Sequence, residues 1–269
     1  MIGHQLRRTA QTPKAFVNWA GLLRDMTLER FGKGPDELTF VTRSGQRISC
    51  PNRPGARVPI YEVYAEDTYG LQTFLGPMLA RPIRVIDIGA HVGAFACQLA
   101  ALSPQATIEC FEPSASTAGY LRRNAEQNGL SDRISVDERA VAGHIGFADF
   151  VDNGAGSALN GLVDAVPTSA PDTQSATSVA TTTFDAVATE RSQPIDVVKL
   201  DCEGGEYDAV LNSAPESWAS VDRVVLEYHP SAQHNLAELT DWFAGCGLFL
   251  LREHPVSPDQ GTAWLTRKR

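Results

Sequence analysis

An acidic residue and two glycines lie close together in residues 87–93, Asp-Ile-Gly-Ala-His-Val-Gly, directly after the apolar run Ile83–Ile86. An apolar strand, a glycine-containing turn and the helix-compatible run Ala94–Leu102 form a pattern typical of the first half of a nucleotide-binding βαβ unit. Glycine lets the backbone of such a turn approach a ligand closely, because a Cβ atom there would collide with it. The segment therefore predicts an α/β fold and a nucleotide-like ligand.

Carboxylates also occur at or near the ends of other predicted strands. They lie in the segments Phe111-Glu112-Pro113, Asp137–Ala140, Asp201-Cys202-Glu203-Gly204 and Glu227-Tyr228-His229-Pro230. In an open α/β sheet, ligands bind outside the carboxyl ends of the strands, near the point where the strand order reverses. These segments are therefore the expected surroundings of the ligand.

Glu112 lies 23 positions after Gly89 and closes the second predicted strand. An acid at this distance is positioned to accept hydrogen bonds from both hydroxyls of a ribose. A charge favoured by the dipole of the following helix is the alternative. The ribose role is preferred, because Glu112 occurs together with the glycine turn.

The spacing of the glycines distinguishes two adenosine-containing ligands. A dinucleotide fingerprint has three glycines as G-x-G-x-x-G, so that a helix N-terminus can receive a pyrophosphate, whereas Gly89 is followed by Ala90, His91, Val92 and Gly93. Asp87 would repel a pyrophosphate and attract the cationic sulfonium and ammonium groups of S-adenosylmethionine. The charge favours S-adenosylmethionine over a nicotinamide dinucleotide.

Asp201, Glu203 and His229 are the candidate catalytic residues, because all three follow predicted strands on the ligand side and could act as a general base. His229 has the most suitable ordinary pKa. Each has an alternative role: Asp201 could hold the methionine end of the cofactor, Glu203 could brace the next helix, and His229 could close a loop. The three could also share Mg²⁺ or Mn²⁺, but their spacing fixes no geometry and the sequence predicts no metal.

Strands and helices alternate along the part of the chain that carries these residues. The pattern predicts strands at 84–87, 107–111, 133–138, 197–200 and 223–227, and helices at 94–102, 116–128, 205–211 and 236–244. This alternation predicts a doubly wound, mostly parallel sheet. Strands at 248–252 and 263–266 are close enough in sequence to pair antiparallel at the edge of the sheet, with the C-terminal strand as the edge strand.

The regions outside this alternation have weaker patterns. Apolar residues at helical spacing predict a helix over 14–31, which could pack on the core, cover a substrate pocket or form a dimer contact. A hairpin is expected at 38–50, a loop at 51–59 and helical segments at 61–79. Residues 145–151 and 177–184 have strand-like patches. Residues 167–180 are rich in Ser, Thr and Ala and predict a flexible surface insert, near 165–180.

The composition fits a soluble globular protein, with 43% hydrophobic and 20% charged residues. A net charge of −9 and a pI of about 5.1 argue against nucleic acid as a partner, because phosphate backbones are bound by clustered Lys and Arg. Five cysteines without a CxxC pair indicate neither disulfides nor zinc, and favour a reducing cytoplasm. No apolar stretch reaches the ~18 residues of a membrane helix.

Several ordered motifs resemble the FkbM-type S-adenosylmethionine-dependent methyltransferases. They are residues 87–93, Phe-Glu-Pro at 111–113, the Asn124 helix, Gly-Ser-Ala-Leu at 156–159, Thr-Phe-Asp at 183–185, Lys-Leu-Asp-Cys-Glu-Gly-Gly-Glu at 199–206 and Glu-Tyr-His-Pro at 227–230. The similarity spans roughly residues 60–250, and the Lys-x-Asp-x-Glu-Gly-x-Glu pattern is its most specific part.

The resemblance implies a class I methyltransferase (Rossmann-like) fold and methyl transfer, often to a hydroxyl of a natural product of secondary metabolism or of a glycan. It places Gly89, Ala90 and Gly93 against the cofactor, Asp87 near its amino-acid end, Glu112 on the ribose and Ala140 along the adenine. His91 could line the same pocket or act as a spacer, and Cys202 stands where an aliphatic residue would be unremarkable. Residues 1–80 would form an extension for the acceptor pocket or a homodimer contact, and residues 81–269 the methyltransferase domain.

Two other classes of function remain open at this point. One is a nicotinamide-dependent oxidoreductase, which the glycine spacing disfavours. The other is a non-catalytic binding protein that kept the fold, which the acids at 87, 112, 201 and 203 argue against. A hydrolase is not indicated, since the chain has no G-x-S-x-G elbow.

Overall fold

The structure is a computed structural model that describes residues 2–157, 160–162, 176–190 and 193–268. Its first part consists of helices around a hairpin. The helices are α1 (Ile2–Ala15), α2 (Trp19–Glu29), α3 (Pro54–Tyr64) and α4 (Leu71–Phe74), and the hairpin strands are β1 (Glu37–Val41) and β2 (Arg47–Pro51). The hairpin predicted at 38–50 is therefore confirmed.

Two expectations for this first part are wrong. The helix predicted over 14–31 is interrupted at residues 16–18, because Phe16 leaves the helical path and bridges to Thr42 beside the hairpin. The loop predicted at 51–59 contains the first half of α3, which begins at Pro54. Proline is favoured at this helical position, because its missing N–H would have no partner in the first turn.

The remainder of the chain builds two sheets and the helices that cover them. In chain order the strands are β3 (Ile83–Ile88), β4 (Ala106–Phe111), β5 (Ile134–Asp137), β6 (Ala140–Val141), β7 (Gly146–Val151), β8 (Gly161–Leu162), β9 (Ala176–Thr182), β10 (Val197–Leu200), β11 (Arg223–Tyr228), β12 (Leu248–Ser257) and β13 (Gln260–Arg267). The helices are α5 (Ala94–Leu102), α6 (Ala115–Gln127), α7 (Phe184–Thr189), α8 (Glu206–Leu211) and α9 (Leu236–Gly245).

The central sheet has the strand order β5-β4-β3-β10-β11-β13-β12. Its strands β5, β4, β3, β10 and β11 pair in parallel, and β13 is antiparallel to both of its neighbours. The antiparallel pairing of the last two strands is confirmed. The edge position of the C-terminal strand is wrong, because β13 inserts between β11 and β12. Trp264 and Leu265 of β13 are buried on opposite faces, whereas most of β12 is exposed, which suits β12 to the edge.

Both faces of the central sheet are covered, as a doubly wound fold requires. Successive residues of β3 alternate between two apolar clusters, with Ile83 and Val85 in one and Ile86 and Ile88 in the other. The first cluster includes residues of the N-terminal helices, the hairpin and α5, and the second includes residues of α7, α8 and α9. The predicted mostly parallel, doubly wound sheet is therefore confirmed.

The smaller sheet has the order β6-β9-β7-β8 and lies in the chain between β5 and β10. Residues 176–180 belong to β9 and pair with β7, so the prediction of a flexible loop is wrong for them. Their Ser and Thr side chains bury little, but the backbone hydrogen bonds of the sheet and the buried residues Thr181 and Thr182 hold the strand. Residues 167–175 of that prediction lie outside the described residues.

The order of the strands reverses at β3. The next strand along the chain, β4, lies on one side of β3, and β10 lies on the other side. The carboxyl ends of β3 and β10 therefore frame the crevice in which ligands of open α/β sheets bind. Residues Gly89 and Asp201 follow these two strands directly.

Candidate active site

A cavity of about 480 Å³ lies at this crevice. It is lined by residues that follow the central strands, by α3 and by the smaller sheet: Val58, Pro59, Glu62, Ile88, Gly89, His91, Phe111, Glu112, Pro113, Ala140, Val141, Phe150, Ser157, Asn160, Gly161, Leu162, Asp201, Cys202, Glu203, Gly205, Glu227, His229, Pro230 and Gln260. Five of these lining residues are carboxylic acids, and none is Lys or Arg. The volume is in the range of pockets for small molecules and cofactors.

The turn after β3 packs tightly on the segment after β10. Gly89 has a φ of 74°, and a Cβ atom there would lie 1.8 Å from the carbonyl oxygen of Asp201. Gly93 has a φ of 80°, and its Cβ would lie 2.9 Å from Cγ of Leu121. From the sequence, we expected a side chain at these positions to collide with the ligand. In the structure, a Cβ atom at either glycine would collide with another part of the chain.

Lys199 links the end of β3 and the turn after it to the segment after β10. Its Nζ lies 3.2 Å from Oδ1 of Asp87 and 3.2 Å from Oδ2 of Asp201, and donates a hydrogen bond of 2.7 Å to the carbonyl oxygen of Gly89. Asp87 is fully buried and is not among the residues that line the cavity. Its predicted place near the amino-acid end of the cofactor therefore stays a prediction, and the structure shows its charge paired with Lys199.

Glu112 is a buried carboxylate held by backbone N–H groups. It accepts hydrogen bonds from His91 N at 2.9 Å and from Ser114 N at 3.0 Å. Burial raises the pKa of Glu112 to about 7, although these hydrogen bonds oppose the rise. His91 has a φ of 51°, and burial lowers its pKa to about 4, so its ring is neutral at pH 7.

Acidic side chains surround His229 at the ends of β10 and β11. Nδ1 of His229 lies 3.0 Å from Oε1 of Glu206, and Nε2 lies 3.5 Å from Oε2 of Glu203 and 3.9 Å from Oε1 of Glu227. The backbone N–H of His229 also donates to Glu206 Oε1, at 2.8 Å. Glu206 thus holds His229 at its backbone N–H and at Nδ1, which directs Nε2 towards the other acids.

These neighbours change the proton affinity of His229. Burial by itself would lower its pKa, but Glu206, Glu203 and Asp201 outweigh burial and raise the pKa to about 10. An imidazolium has no nitrogen lone pair with which to accept a proton. The prediction of His229 as the general base rested on its ordinary pKa, and that premise does not hold in this structure.

The acidic side chains around His229 differ in pKa. Burial would raise the pKa of Asp201, but Lys199, His229 and a 2.9 Å hydrogen bond from the Tyr69 hydroxyl lower it, so Asp201 stays ionised. Burial raises the pKa of Glu203 and of Glu227 to about 8. Glu203 also has a φ of 53°, a left-handed conformation that non-glycine residues adopt at a cost and that recurs at functional sites.

The structure brings most of the predicted site residues together. Gly89, His91, Glu112, Ala140, Asp201, Glu203 and His229 line one cavity, whereas Asp87, Ala90 and Gly93 do not line it. Glu227 and Glu206 were not selected, although both stand in motifs quoted from the sequence. Glu62 had no sequence signal, because α3 carries no pattern that marks it as part of a site.

The strand order, with one antiparallel strand between β11 and β12, and the acid-lined cavity at the switch point define a class I methyltransferase fold. The METTL16 methyltransferase domain has this fold in common with the chain, with a TM-score of 0.51 and 16% identity over 93% of this chain and 79% of that one. Magnesium protoporphyrin IX methyltransferase (ChlM) from Synechocystis PCC 6803, solved with bound SAM, has a TM-score of 0.44 and 14% identity, over 79% of this chain and 81% of that one.

Residues 87–249 match the model of the methyltransferase FkbM domain, and the chain belongs to this family. S-adenosylmethionine is its cofactor, as the sequence predicted. A curated relative is the AMB antimetabolite synthetase AmbE of Pseudomonas aeruginosa, 24% identical over 245 residues. The match covers 78% of this chain but 11% of that protein. None of the helices in the described ranges has both the length and the apolar character needed to cross a membrane.

Proposed function

We propose that this chain transfers a methyl group from S-adenosylmethionine to a hydroxyl of a natural product or glycan. The observation that carries the proposal is a single cavity that joins Glu112, at the end of β4, to the acids at the ends of β10 and β11. Such a cavity would hold the donor on one side and leave the acceptor beside the acids. S-adenosylmethionine supplies a methyl group on a positively charged sulfur that is already a good leaving group.

The residues on the β3–β4 side suit an adenosine. The carboxylate of Glu112 lies at the end of β4, where both hydroxyls of a ribose could donate to it. The apolar residues Phe111, Ala140 and Val141 line the cavity nearby and would pack against a base. Asp201, whose pKa stays low, provides negative charge for the sulfonium and ammonium groups, which a pyrophosphate would not tolerate.

The acceptor side combines apolar and acidic residues. Val58 and Pro59 of α3 and Leu162 of β8 supply apolar surface, and Glu62 and Glu203 supply negative charge. A phosphate backbone would be repelled, since no Lys or Arg lines the cavity in the described parts of the chain. This lining supports a neutral small molecule or glycan as the acceptor, rather than a nucleic acid.

The same charges favour oxygen over nitrogen as the methylated atom. An amine among several carboxylates is held in its protonated form, because the nearby negative charge stabilises the ammonium ion. An ammonium nitrogen has no lone pair with which to attack the methyl carbon. A hydroxyl has no such handicap, and a neighbouring carboxylate can accept its proton as the oxygen attacks.

We assign the proton-accepting role to the ionised form of Glu203, which its pKa of about 8 makes the major form only above that pH, so turnover should rise as the pH increases towards 9. Its side chain lines the cavity and retains 35% exposure, so an acceptor can reach it. Asp201 is less suited, because the Tyr69 hydroxyl donates to its Oδ2 and Lys199 lies 3.2 Å from the same atom. Asp201 would instead contact the positively charged part of the donor.

The proposal is tested with S-adenosylmethionine that carries a deuterated methyl group, incubated with hydroxyl-bearing natural products and oligosaccharides. We expect a product that gains one labelled methyl group on oxygen, located by mass spectrometry and NMR. Glu203→Gln should lower kcat by about 10²–10⁴-fold and leave the affinity for S-adenosylhomocysteine unchanged. The matched control is Glu138→Gln, an exposed acid paired with Arg122.

A label found on nitrogen would contradict the hydroxyl acceptor. Turnover by Glu203→Gln at the rate of the unmodified protein would remove Glu203 as the proton acceptor. Both measurements leave the identification of the methyl donor intact, because donor binding is measured separately.

A further inference from the structure

We propose that Asp201, Glu227 and His229 bind a divalent metal ion of the Mn²⁺ or Mg²⁺ class beside the methyl donor. Each of the three residues offers one ligand atom, and these atoms lie within 4.8 Å of one another. The proposal deepens the proposed function at the same site. It rests on that function for its catalytic consequence, and on the geometry of the three side chains for metal binding itself.

The separation of the ligand atoms suits one ion. Metal–oxygen distances of about 2.0–2.6 Å place opposite ligands of an ion about 4–5 Å apart. Atoms that all lie within 4.8 Å of one another can therefore surround a single ion without a large movement of the chain. Two carboxylates and one imidazole form a ligand set that first-row divalent ions accept.

Glu206 orients His229 as a metal ligand. The His229 side chain is 9% exposed, and the fully buried Glu206 accepts from Nδ1 at 3.0 Å. In the described parts of the chain, the contacts of Nε2 are carboxylate oxygens at 3.5 Å and 3.9 Å, beyond the usual hydrogen-bond length. A carboxylate that holds one nitrogen of a histidine and leaves the other for a metal is the common arrangement around histidine ligands. The ion would displace the proton that the surrounding acids hold on Nε2, so the affinity for the ion should rise with pH.

The two acids are also positioned by rigid parts of the fold. Asp201 follows β10 and Glu227 lies in β11, and these strands pair in parallel, with Leu200 opposite Leu226. The Tyr69 hydroxyl holds the Asp201 carboxylate at 2.9 Å. Sites built on paired strands keep their geometry better than sites built on loops.

The charge of the cavity agrees with a bound cation. Glu62, Asp201, Glu203 and Glu227 all line it, and the described lining includes no Lys or Arg. A substrate ammonium group could also balance this charge. Such a group would bind to the acids alone, whereas a metal ion would bind to the acids and, once the proton on Nε2 is displaced, to the histidine nitrogen as well. The arrangement of His229 therefore favours a metal over an amine.

The ion would act on the acceptor hydroxyl. A hydroxyl oxygen bound to the ion loses its proton more readily, and the proton passes to the carboxylate of Glu203. The oxygen then forms a bond to the methyl carbon while the carbon–sulfur bond breaks, and the electron pair of that bond stays on sulfur. The products are the methyl ether and S-adenosylhomocysteine.

The test is a titration of the full chain with Mn²⁺, without donor or acceptor, followed by electron paramagnetic resonance of the free ion. We expect one bound Mn²⁺ per chain, displaced by Mg²⁺, and coupling of the bound Mn²⁺ to an imidazole nitrogen in the unmodified protein. Glu227→Gln and His229→Ala should each weaken binding by about tenfold or more. The matched control is His234→Ala, which removes a histidine paired with Glu238 at 2.8 Å and should bind Mn²⁺ normally.

Absence of Mn²⁺ binding at millimolar concentrations, absence of nitrogen coupling, or unchanged affinity in Glu227→Gln would each overturn the proposal. The nitrogen coupling is measured on the unmodified protein, so the test does not depend on how well a variant folds. Calorimetry with S-adenosylhomocysteine on the same samples separates the two proposals. Binding of S-adenosylhomocysteine without Mn²⁺ binding would refute the metal and leave the methyltransferase assignment in place.

Discussion

Glu112 holds together the turn after β3 and the start of α6, because its carboxylate accepts from the backbone N–H groups of His91 and Ser114. The same carboxylate lines the cavity and can accept from a ribose. Its two tasks are compatible, since an ionised carboxylate offers about four lone-pair positions and the backbone occupies two of them.

Glu112→Ala should weaken the binding of S-adenosylhomocysteine by about 1–3 kcal/mol, as expected for the loss of a charged hydrogen-bond acceptor. Isothermal titration calorimetry measures the change. Glu138→Ala removes an exposed acid that pairs with Arg122 and serves as the control, with affinity unchanged. Equal affinities of the Glu112 variant and the unmodified protein would refute the ribose assignment.

The affinity for adenosine should rise as the pH increases from 6 to 8. Burial raises the pKa of Glu112 to about 7, with smaller opposing effects of Lys199, which lowers it, and Asp152, which raises it. The ionised carboxylate, which accepts hydrogen bonds from the ribose, is therefore the minor form at pH 6. If only the ionised form binds the ribose, the affinity at pH 6 should be about tenfold lower than its limit at high pH. Adenosine is the suitable ligand, because it has no group that titrates in this range.

The control for this pH dependence is Glu112→Gln, which should bind adenosine weakly and equally at both values. His91 does not contribute, because its pKa of about 4 lies outside the range. An unmodified protein whose affinity is the same at pH 6 and pH 8 would contradict the link to Glu112.

Sequence reasoning located Glu112, Asp201, Glu203 and His229 because acids and a histidine at the ends of apolar strands are visible in the chain itself. It could not give the charge state of His229, which depends on Glu206 and Glu203 as neighbours in space. It also could not show that Lys199, 112 positions away in the chain, pairs with Asp87.

At the scale of elements, the site depends on how closely the turn after β3 meets the segment after β10. Gly89 makes this contact possible, and Lys199 of β10 donates to the carbonyl oxygen of Gly89. The alternation of strands and helices was predictable from periodicity. The strand-like patch at 177–184 became β9, but the break between α1 and α2 was not predictable, because it depends on the bridge from Phe16 to the distant Thr42 rather than on local pattern.

Gly89→Ala should lower the free energy of unfolding by about 2–5 kcal/mol. The left-handed backbone costs a side chain about 1–2 kcal/mol, and the contact of the new Cβ with the Asp201 carbonyl oxygen adds the cost of overpacking, about 1–3 kcal/mol. Urea unfolding measures the difference. The cofactor affinity should fall with it, because Asp201 must move.

The matched control is Gly119→Ala in α6, where a Cβ meets no atom within 4 Å. Alanine in a helix is more stable than glycine by about 0.5–1 kcal/mol, so this variant should be slightly stabilised. A Gly89→Ala protein as stable as the unmodified one would show that the two segments do not meet as described.

At the scale of the molecule, the C-terminal strand β13 runs from the cavity, which its first residue Gln260 lines, to Arg267 at its other end. The Arg267 side chain donates to the carbonyl oxygens of Trp218, Val221 and Cys246, at 2.7–2.9 Å. One side chain thus ties the last strand to the segments before β11 and β12. The position of β13 inside the sheet could not be read from the sequence, since spacing alone fits an edge strand equally well.

Arg267→Ala should lower the free energy of unfolding by about 2–4 kcal/mol, because three carbonyl groups lose a charged donor. The affinity for S-adenosylhomocysteine should not change, since Arg267 and the cavity-lining residue Gln260 lie at opposite ends of β13. Arg122→Ala, which removes an exposed ion pair with Glu138, is the control and should cost at most about 1 kcal/mol. A loss of affinity together with stability would contradict this separation.

The most direct test of the account is calorimetry of the unmodified chain with S-adenosylhomocysteine and, separately, with NAD. The structure predicts one S-adenosylhomocysteine bound per chain, weakened by Glu112→Ala, and no binding of NAD, whose pyrophosphate would face Asp201 and Glu203. Binding of NAD in the absence of S-adenosylhomocysteine binding would contradict it.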